Sequence, residues 1–252
     1  MELIPAIDII EGQCVRLTKG DYDTKKVYGD PLEMAQRFEE MGLRRLHVVD
    51  LDGAKSKHVV NLAALKAITS RTNLIVDFGG GVKSDEDLER AYEAGAAMIT
   101  VGSIAITDPD RYLGWLERYG AERLILGADV RNGRVSINGW KEDSDIRLED
   151  FLQNYMKEGT KNVLCTEISR DGTLEGPAIE LYKSIMNRYP ECYLIASGGV
   201  GSTEDILALE AAGIPAVVFG KAFYEGKIDM KKLRNLDNKE VSPRGDLEEA
   251  SC

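Results

Sequence analysis

The chain has 252 residues, 43% hydrophobic and 30% charged, with 32 Lys and Arg against 43 Asp and Glu and a formal charge of −11. Ordinary apolar content and 25 glycines without a three-residue period exclude a disordered or collagen-like chain, and no apolar run of about 18 residues is present to span a membrane. The acidic balance opposes nucleic acid, whose phosphates it repels.

Residues 1–5 lack the basic stretch and apolar run of a secretion signal, so a cytoplasmic chain is expected. Residues 3–8 form the first predicted strand, which ends on Asp8. The polar stretch 19–30 carries Gly20 and Gly29 without periodicity and is predicted to be a long mobile loop. Helical periodicity over 31–41 leads to a second strand, 46–50, that closes on Asp50-Leu51-Asp52. His47 alternates with Val48 there and is expected to face the helices in a structural role. A helix over 62–69 precedes a third strand, 74–78, followed by Gly79-Gly80-Gly81. The helix over 84–94 opens on Asp85-Glu86-Asp87, acids that suit the positive end of its dipole.

Strands over 98–102 and 124–129 follow, the second ending on Asp129. After it come Asn138-Gly139-Trp140 and the charged run 141–145, the counterpart of the polar stretch after the first strand. A helix over 148–158 leads to a strand over 163–167 that ends in Thr166-Glu167, ahead of Ser169-Arg170-Asp171-Gly172-Thr173. A helix over 178–189, a strand over 193–197, Gly198-Gly199, a helix over 202–212 and a strand over 216–220 complete the pattern. Residues 237–252 read as a polar, flexible tail, and residues 1–236 as one domain.

Eight near-continuous apolar strands alternating with amphipathic helices imply a parallel sheet buried on both faces. A closed α/β (β/α)8 barrel is the expected fold, since such a barrel uses about 250 residues, with an open doubly wound sheet as the main competitor. An internal repeat supports closure. Gly80-Gly81-Val82 matches Gly198-Gly199-Val200 at an offset of 198 − 80 = 118, and Gly102-Ser103 matches Gly220-Lys221 at the same offset. Asp8 matches Asp129 at 129 − 8 = 121. Four strands per half, repeated once, set each strand opposite its counterpart across one cavity.

Reactive groups in such barrels sit at the carboxyl ends of the strands. The repeat therefore sets Asp8 and Asp129 on opposite sides of one ligand, where two carboxylates can act as general base and general acid; the alternative is that each pairs with a nearby Arg16 or Arg131. Gly80 and Gly81 with Gly102 and Ser103, and Gly198 and Gly199 with Gly220 and Lys221, form two candidate phosphate cradles of glycine turns and helix starts. Two cradles imply an elongated ligand with a phosphate at each end. Thr166 either orients a substrate hydroxyl or is an ordinary β-branched strand residue. Asp171 either binds ligand or caps the turn at Gly172, and Trp140 either stacks on a planar ring or anchors its loop. Cys14, Cys165, Cys192 and Cys252 form no CxxC pair, which fits reduced thiols, and His47 and His58 stand in no ligand-spaced pair, so no metal site is expected.

Residues 4–9 (IPAIDI), Gly12, Val15-Arg16-Leu17, Lys19-Gly20-Asp21, 46–54 (LHVVDLDGA), 79–82 (GGGV), Asn138-Gly139-Trp140, 169–174 (SRDGTL) and 220–226 (GKAFYEG) resemble the phosphoribosylformimino-aminoimidazole-carboxamide ribotide isomerases of histidine biosynthesis. The match runs in order over about residues 1–228. The resemblance implies a half-barrel repeat and an Amadori rearrangement of the biphosphorylated aminoaldose ProFAR to the aminoketose PRFAR, with no cofactor. It implies Asp8 as proton acceptor, Asp129 as proton donor and Thr166 as their helper. It also implies Trp140 stacking on the imidazole and Arg16, Gly20, Asp171, Gly172 and Thr173 around the ligand beside the two cradles. Two departures stand out: Glu167 where Asp is common, and Lys83 where Arg is frequent, which loses bidentate phosphate geometry.

A monomer without an obligate partner, acting on a small biphosphorylated substrate, is the expectation. Three alternatives remain open at this point. They are the cyclase subunit of imidazole glycerol phosphate synthase, an isomerase that also accepts phosphoribosylanthranilate, and a non-catalytic barrel that binds phosphate ligands. The cyclase usually carries Val-Val-Lys-Gly where this chain has Val15-Arg16-Leu17 and lacks the Asn-Gly-Trp loop.

Overall fold

The β-branched runs fold as strands where the sequence places them. A computed structural model describes residues 1–140 and 142–237. β1 (Glu2–Ile10) is followed by a hairpin, β2 (Gln13–Thr18) and β3 (Asp21–Gly29), then by α1 (Pro31–Glu40) and β4 (Arg45–Asp50). α2 (Leu51–Ser56) and α3 (Leu62–Arg71) lead to β5 (Ile75–Gly79), and α4 (Asp85–Glu93) leads to β6 (Met98–Val101). α5 (Ser103–Thr107) and α6 (Pro109–Tyr119) end the first half. The second half begins with β7 (Leu124–Arg131), its own hairpin β8 (Arg134–Ile137) and β9 (Glu142–Arg147), and α7 (Leu148–Lys157). β10 (Asn162–Glu167), α8 (Ile179–Arg188), β11 (Tyr193–Ser197), α9 (Thr203–Ala211), β12 (Ala216–Phe219), α10 (Lys221–Tyr224) and α11 (Met230–Asp237) complete it.

Parallel pairing runs β1-β4-β5-β6-β7-β10-β11-β12 and returns from β12 to β1, so the eight strands close into the expected (β/α)8 barrel. Side chains alternate across the wall. On β1, Leu3, Ile7 and Ile9 pack outward under the helices, while Ile4 and Ala6 join Ile125, Leu164, Ile195, Ala216 and Val218 in an inner core. The helices bury one stripe each. α1 starts at Pro31, its N-cap Asp30 accepts from the amides of Leu32 and Glu33, and Met34, Ala35 and Phe38 face the sheet. Truncating the fully buried Phe38 to Ala removes about 3–5 kcal/mol.

Residues 21–29 are a strand, not the loop expected over 19–30. Nearly every side chain of β3 is exposed, so its sequence carries no apolar alternation. Order comes instead from backbone pairing with β2, which itself pairs with β1 through Asp8↔Val15 and Ile9↔Cys14. The half-barrel repeat extends into these hairpins. Glu11-Gly12 (φ 53° and 73°) and Asn132-Gly133 (φ 52° and 73°) make the same left-handed turn. At the far tips Lys19-Gly20 (φ 52° and 72°) matches Asn138-Gly139 (φ 56° and 65°). Asp237 ends α11, and the rest of the expected tail, 238–252, lies outside the described residues, as does residue 141. Among the described residues no helix is long and apolar enough to cross a membrane.

Candidate active site

Asp8 and Asp129 occupy inward-facing positions near the carboxyl ends of β1 and β7, and both line one cavity at that end of the barrel. Thr166, one step inward from the end of β10, pairs in register with Asp129 and lines the same cavity. The two carboxylates have different company. Asp8 Oδ2 takes Arg16 Nη1 at 2.9 Å, with both side chains mostly buried. Burial pushes the Asp8 pKa up, opposed by the charges of Arg16 and His47. Burial also raises Asp129, and there the main opposition comes from hydrogen bonds of neutral side chains, Trp140 and Thr166, with a smaller one from the His47 charge.

The hairpins roof the site. Trp140 lies so close to Gly20 that a Cβ at residue 20 would stand 2.8 Å from the ring's Cε3. Lys19 N donates to Asp171 O at 3.3 Å, tying the first hairpin tip to the loop after β10. The Asp171 carboxyl is pushed up to about 6, first by burial, with Asp8 and Asp129 adding to the rise and Arg16 and Lys221 opposing it.

The glycine pairs adopt matching backbones, φ 95° and 84° at Gly80 and Gly81 and 94° and 87° at Gly198 and Gly199. Their lack of a side chain serves packing. A Cβ on Gly80 would stand 2.2 Å from Asp50 O, and one on Gly199 2.2 Å from Gly176 O. The following helices α4 and α9 are capped by Ser84 and Ser202. α5 and α10 instead start at Gly102 and Gly220 without any side-chain cap, which leaves first-turn amides for an anion. Asn138 N donates to Ser103 Oγ at 3.0 Å, and Lys83 Nζ donates to Asn138 Oδ1 at 2.8 Å beside α5. Beside α10, a Cβ on Gly220 would stand 2.4 Å from Arg16 Cζ, so the guanidinium covers this start. Lys221 Nζ donates to Gly172 O at 2.7 Å and Thr18 Oγ1 at 3.0 Å.

The cavity thus gathers Asp8, Arg16, Gly20, Gly80, Gly81, Gly102, Ser103, Asp129, Trp140, Thr166 and Asp171. Gly172, Thr173, Gly198, Gly199, Gly220 and Lys221 do not line it; they belong to the loops after β10, β11 and β12, and Gly220 lies behind Arg16. Thr173 Oγ1 donates to Arg170 O at 2.8 Å and so braces its own turn. Asp50 is fully buried and accepts from the amides of Gly53, Val60 and Asn61, which commits it to the loop.

His47 departs from the expectation that it faces the helices. Val48 belongs to the outer core, so His47 points inward and lines the cavity, with Nδ1 against Asp77 Oδ1. Alternation along one strand gives two faces but not which is inner; the register Ala6↔His47 settles it. Lys83, Asn138 and Tyr22 also line the cavity. Among the described residues no three His, Cys, Asp or Glu side chains gather as ligands for a metal ion.

Residues 2–229 match the family model described as histidine biosynthesis protein. The chain is 58% identical over 235 residues to the 1-(5-phosphoribosyl)-5-((5-phosphoribosylamino)methylideneamino) imidazole-4-carboxamide isomerase of Bacteroides thetaiotaomicron, covering 93% of this chain and 98% of that one. It is 48% identical over 238 residues to the protein of the same name from Cytophaga hutchinsonii, covering 94% and 99%.

Proposed function

The chain belongs to the histidine biosynthesis protein family, and from that premise we propose that it is the isomerase its relatives are named for, converting a biphosphorylated aminoaldose to the aminoketose. The observation that carries this reading is the pair of repeat-related carboxylates facing one cavity, Asp8 beside a guanidinium and Asp129 beside neutral donors. Asp129 donates a proton to the ribose ring oxygen, the C1–O bond breaks, and an iminium forms. Asp8 accepts the proton from C2, the electron pair neutralises the iminium, and the resulting enaminol tautomerises to the ketone with a proton delivered to C1.

Each carboxyl needs a different state. An acid must be protonated near neutrality, about 3 units above an ordinary Asp, a difference of roughly 4 kcal/mol. Burial pushes Asp129 in that direction, and the anionic phosphates of a bound substrate push it further. Arg16 and His47 favour the ionised form of Asp8 that a base requires. The amide-bearing starts of α5 and α10 are the anion sites for the two phosphates, with Lys83 at one and Arg16 and Lys221 at the other. Trp140 and the hairpin tips exclude water.

The same proposal takes the chain to act as a monomer without a partner protein, in the cytoplasm. The test mixes the purified chain with the aminoaldose and follows the absorbance change on isomerisation, without an ammonia source. Turnover is expected. A chain that binds the aminoaldose and never converts it would be a binding barrel and not an isomerase.

A further inference from the structure

The two halves repeat in sequence and backbone, yet the barrel interior is asymmetric beside the two carboxylates. On the Asp8 side, Ala6 pairs with His47 and His47 pairs with Asp77. On the Asp129 side the equivalent register runs Gly127 to Leu164 and Leu164 to Ile195. An imidazole and a carboxylate thus stand where the other half has leucine and isoleucine.

Asp77 is fully buried and held from several sides. Its Oδ1 contacts His47 Nδ1 and accepts from Thr100 Oγ1 at 3.0 Å, and its Oδ2 lies 3.5 Å from Arg45 Nη2. Arg45 is anchored in turn by Glu2 at 2.7 Å. With Nδ1 engaged by Asp77, His47 has its Nε2 edge left for the cavity whose wall it forms.

Resting on the isomerase reading, we infer that the His47–Asp77 pair is a positioning device that holds Asp8 in its anionic, proton-accepting form and so decides which of the two repeat-related carboxylates is the base. Burial alone would lower the His47 pKa, but the Asp77 charge and hydrogen bond, with Asp8, raise it overall, against Arg16. The groups facing Asp8 are Arg16 and Cys14 from β2, His47 from β4, Tyr22 from β3, Tyr224 from α10 and Asp171 from the loop after β10. Only Arg16 and His47 among them are cations. Arg16 sits on a hairpin and reaches over Gly220 at the start of α10, where an incoming phosphate competes for it. His47 is fixed in a barrel strand by Asp77, so it is the cation that stays with Asp8; its charge reaches Asp129 as well, but there it is the smallest influence, behind burial and the hydrogen bonds of Trp140 and Thr166.

The test follows aminoaldose turnover from about pH 5 to 9 for the wild type, His47→Leu, which copies the other half, and Asp77→Asn. Loss of the cation raises the Asp8 pKa, so the acid limb of kcat/KM moves up by about 0.5–1 pH unit in both variants. The rate near pH 6 then falls roughly three- to tenfold relative to the rate near pH 8. A lower plateau with an unmoved acid limb is the signature of a merely structural role and overturns the inference. Wild-type protein without turnover at any pH sinks the isomerase reading instead. An arm on otherwise intact protein covers variants that fail to fold. The chain has two histidines, so His58→Asn leaves one imidazole signal in a magnetic-resonance titration. That signal is expected to stay cationic above the ordinary imidazole range, and a His47 that titrates like a free imidazole overturns the inference.

Discussion

Substituting Gly20 by alanine places a methyl group 2.8 Å from Trp140 Cε3, whereas ordinary contact begins near 3.4 Å, so the ring must retreat by about 3.4 − 2.8 = 0.6 Å. Trp140 also hydrogen-bonds Asp129, so the retreat weakens a bond worth about 0.5–1.5 kcal/mol, or roughly two- to tenfold in kcat. The substitution carries a second cost, because residue 20 has φ +72°, and a side chain in that region costs roughly 1–2 kcal/mol. Gly139→Ala separates the two. Its φ is +65° and nothing lies within 4 Å of its Cβ, so it has the strain without the clash. The assay is steady-state kinetics with tryptophan emission. Trp115 is buried and bonded to Asp85, so a change in emission reports Trp140. Gly20→Ala should lose kcat relative to Gly139→Ala and shift the emission. Equal kcat and equal emission in the two variants would refute the coupling of the first hairpin to Asp129 through Trp140.

Asp8→Asn and Asp129→Asn should each abolish turnover while calorimetry still detects aminoaldose binding; near-normal turnover in either removes that residue from the mechanism. The Asp171 carboxyl, raised from 3.8 to about 6, binds its proton more tightly folded than unfolded. Its contribution is therefore fully present below about pH 4 and is lost as pH rises through 6, a loss of up to about 3 kcal/mol. Asp171→Asn should raise Tm at pH 8 and leave it nearly unchanged at pH 4, and an equal shift at both values would contradict the assignment. Gly80→Ala drives a Cβ to 2.2 Å from Asp50 O at φ +95°, so urea unfolding should show a loss of about 2–4 kcal/mol, whereas Gly114→Ala on an open helix face should gain about 0.5–1 kcal/mol.

The barrel strands were legible because each is buried on both faces, so Ile4 and Leu3 on β1 are equally apolar although they face different cores. The repeat of Asp8 and Asp129 then supplied the closure that composition alone does not. The hairpins were hidden for the opposite reason. β3 buries almost nothing, and pairing along a backbone leaves little trace in side-chain pattern. One signal was present in Asn132-Gly133 and Asn138-Gly139, dipeptides that favour hairpin turns, and it was carried to the first half only by Gly12 and Gly20. Helix Pro109–Tyr119 was also missed, although Asp108 followed by Pro109 is a start signal and Asp108 accepts from the Arg111 amide. Arg16 over Gly220 depends on where a hairpin strand leans, and the inward turn of His47 depends on register with β1. Neither follows from spacing along the chain.

The crystal structure of the Asp8→Asn variant with the aminoaldose bound would test most directly whether the two carboxylates flank one sugar. The side chain at position 8 should lie against C2 and the Asp129 carboxyl against the ring oxygen of the same ribose, with phosphates at the starts of α5 and α10. A ribose in reach of only one of the two positions, or both side chains crowded onto a single face of it, would contradict the division into acid and base.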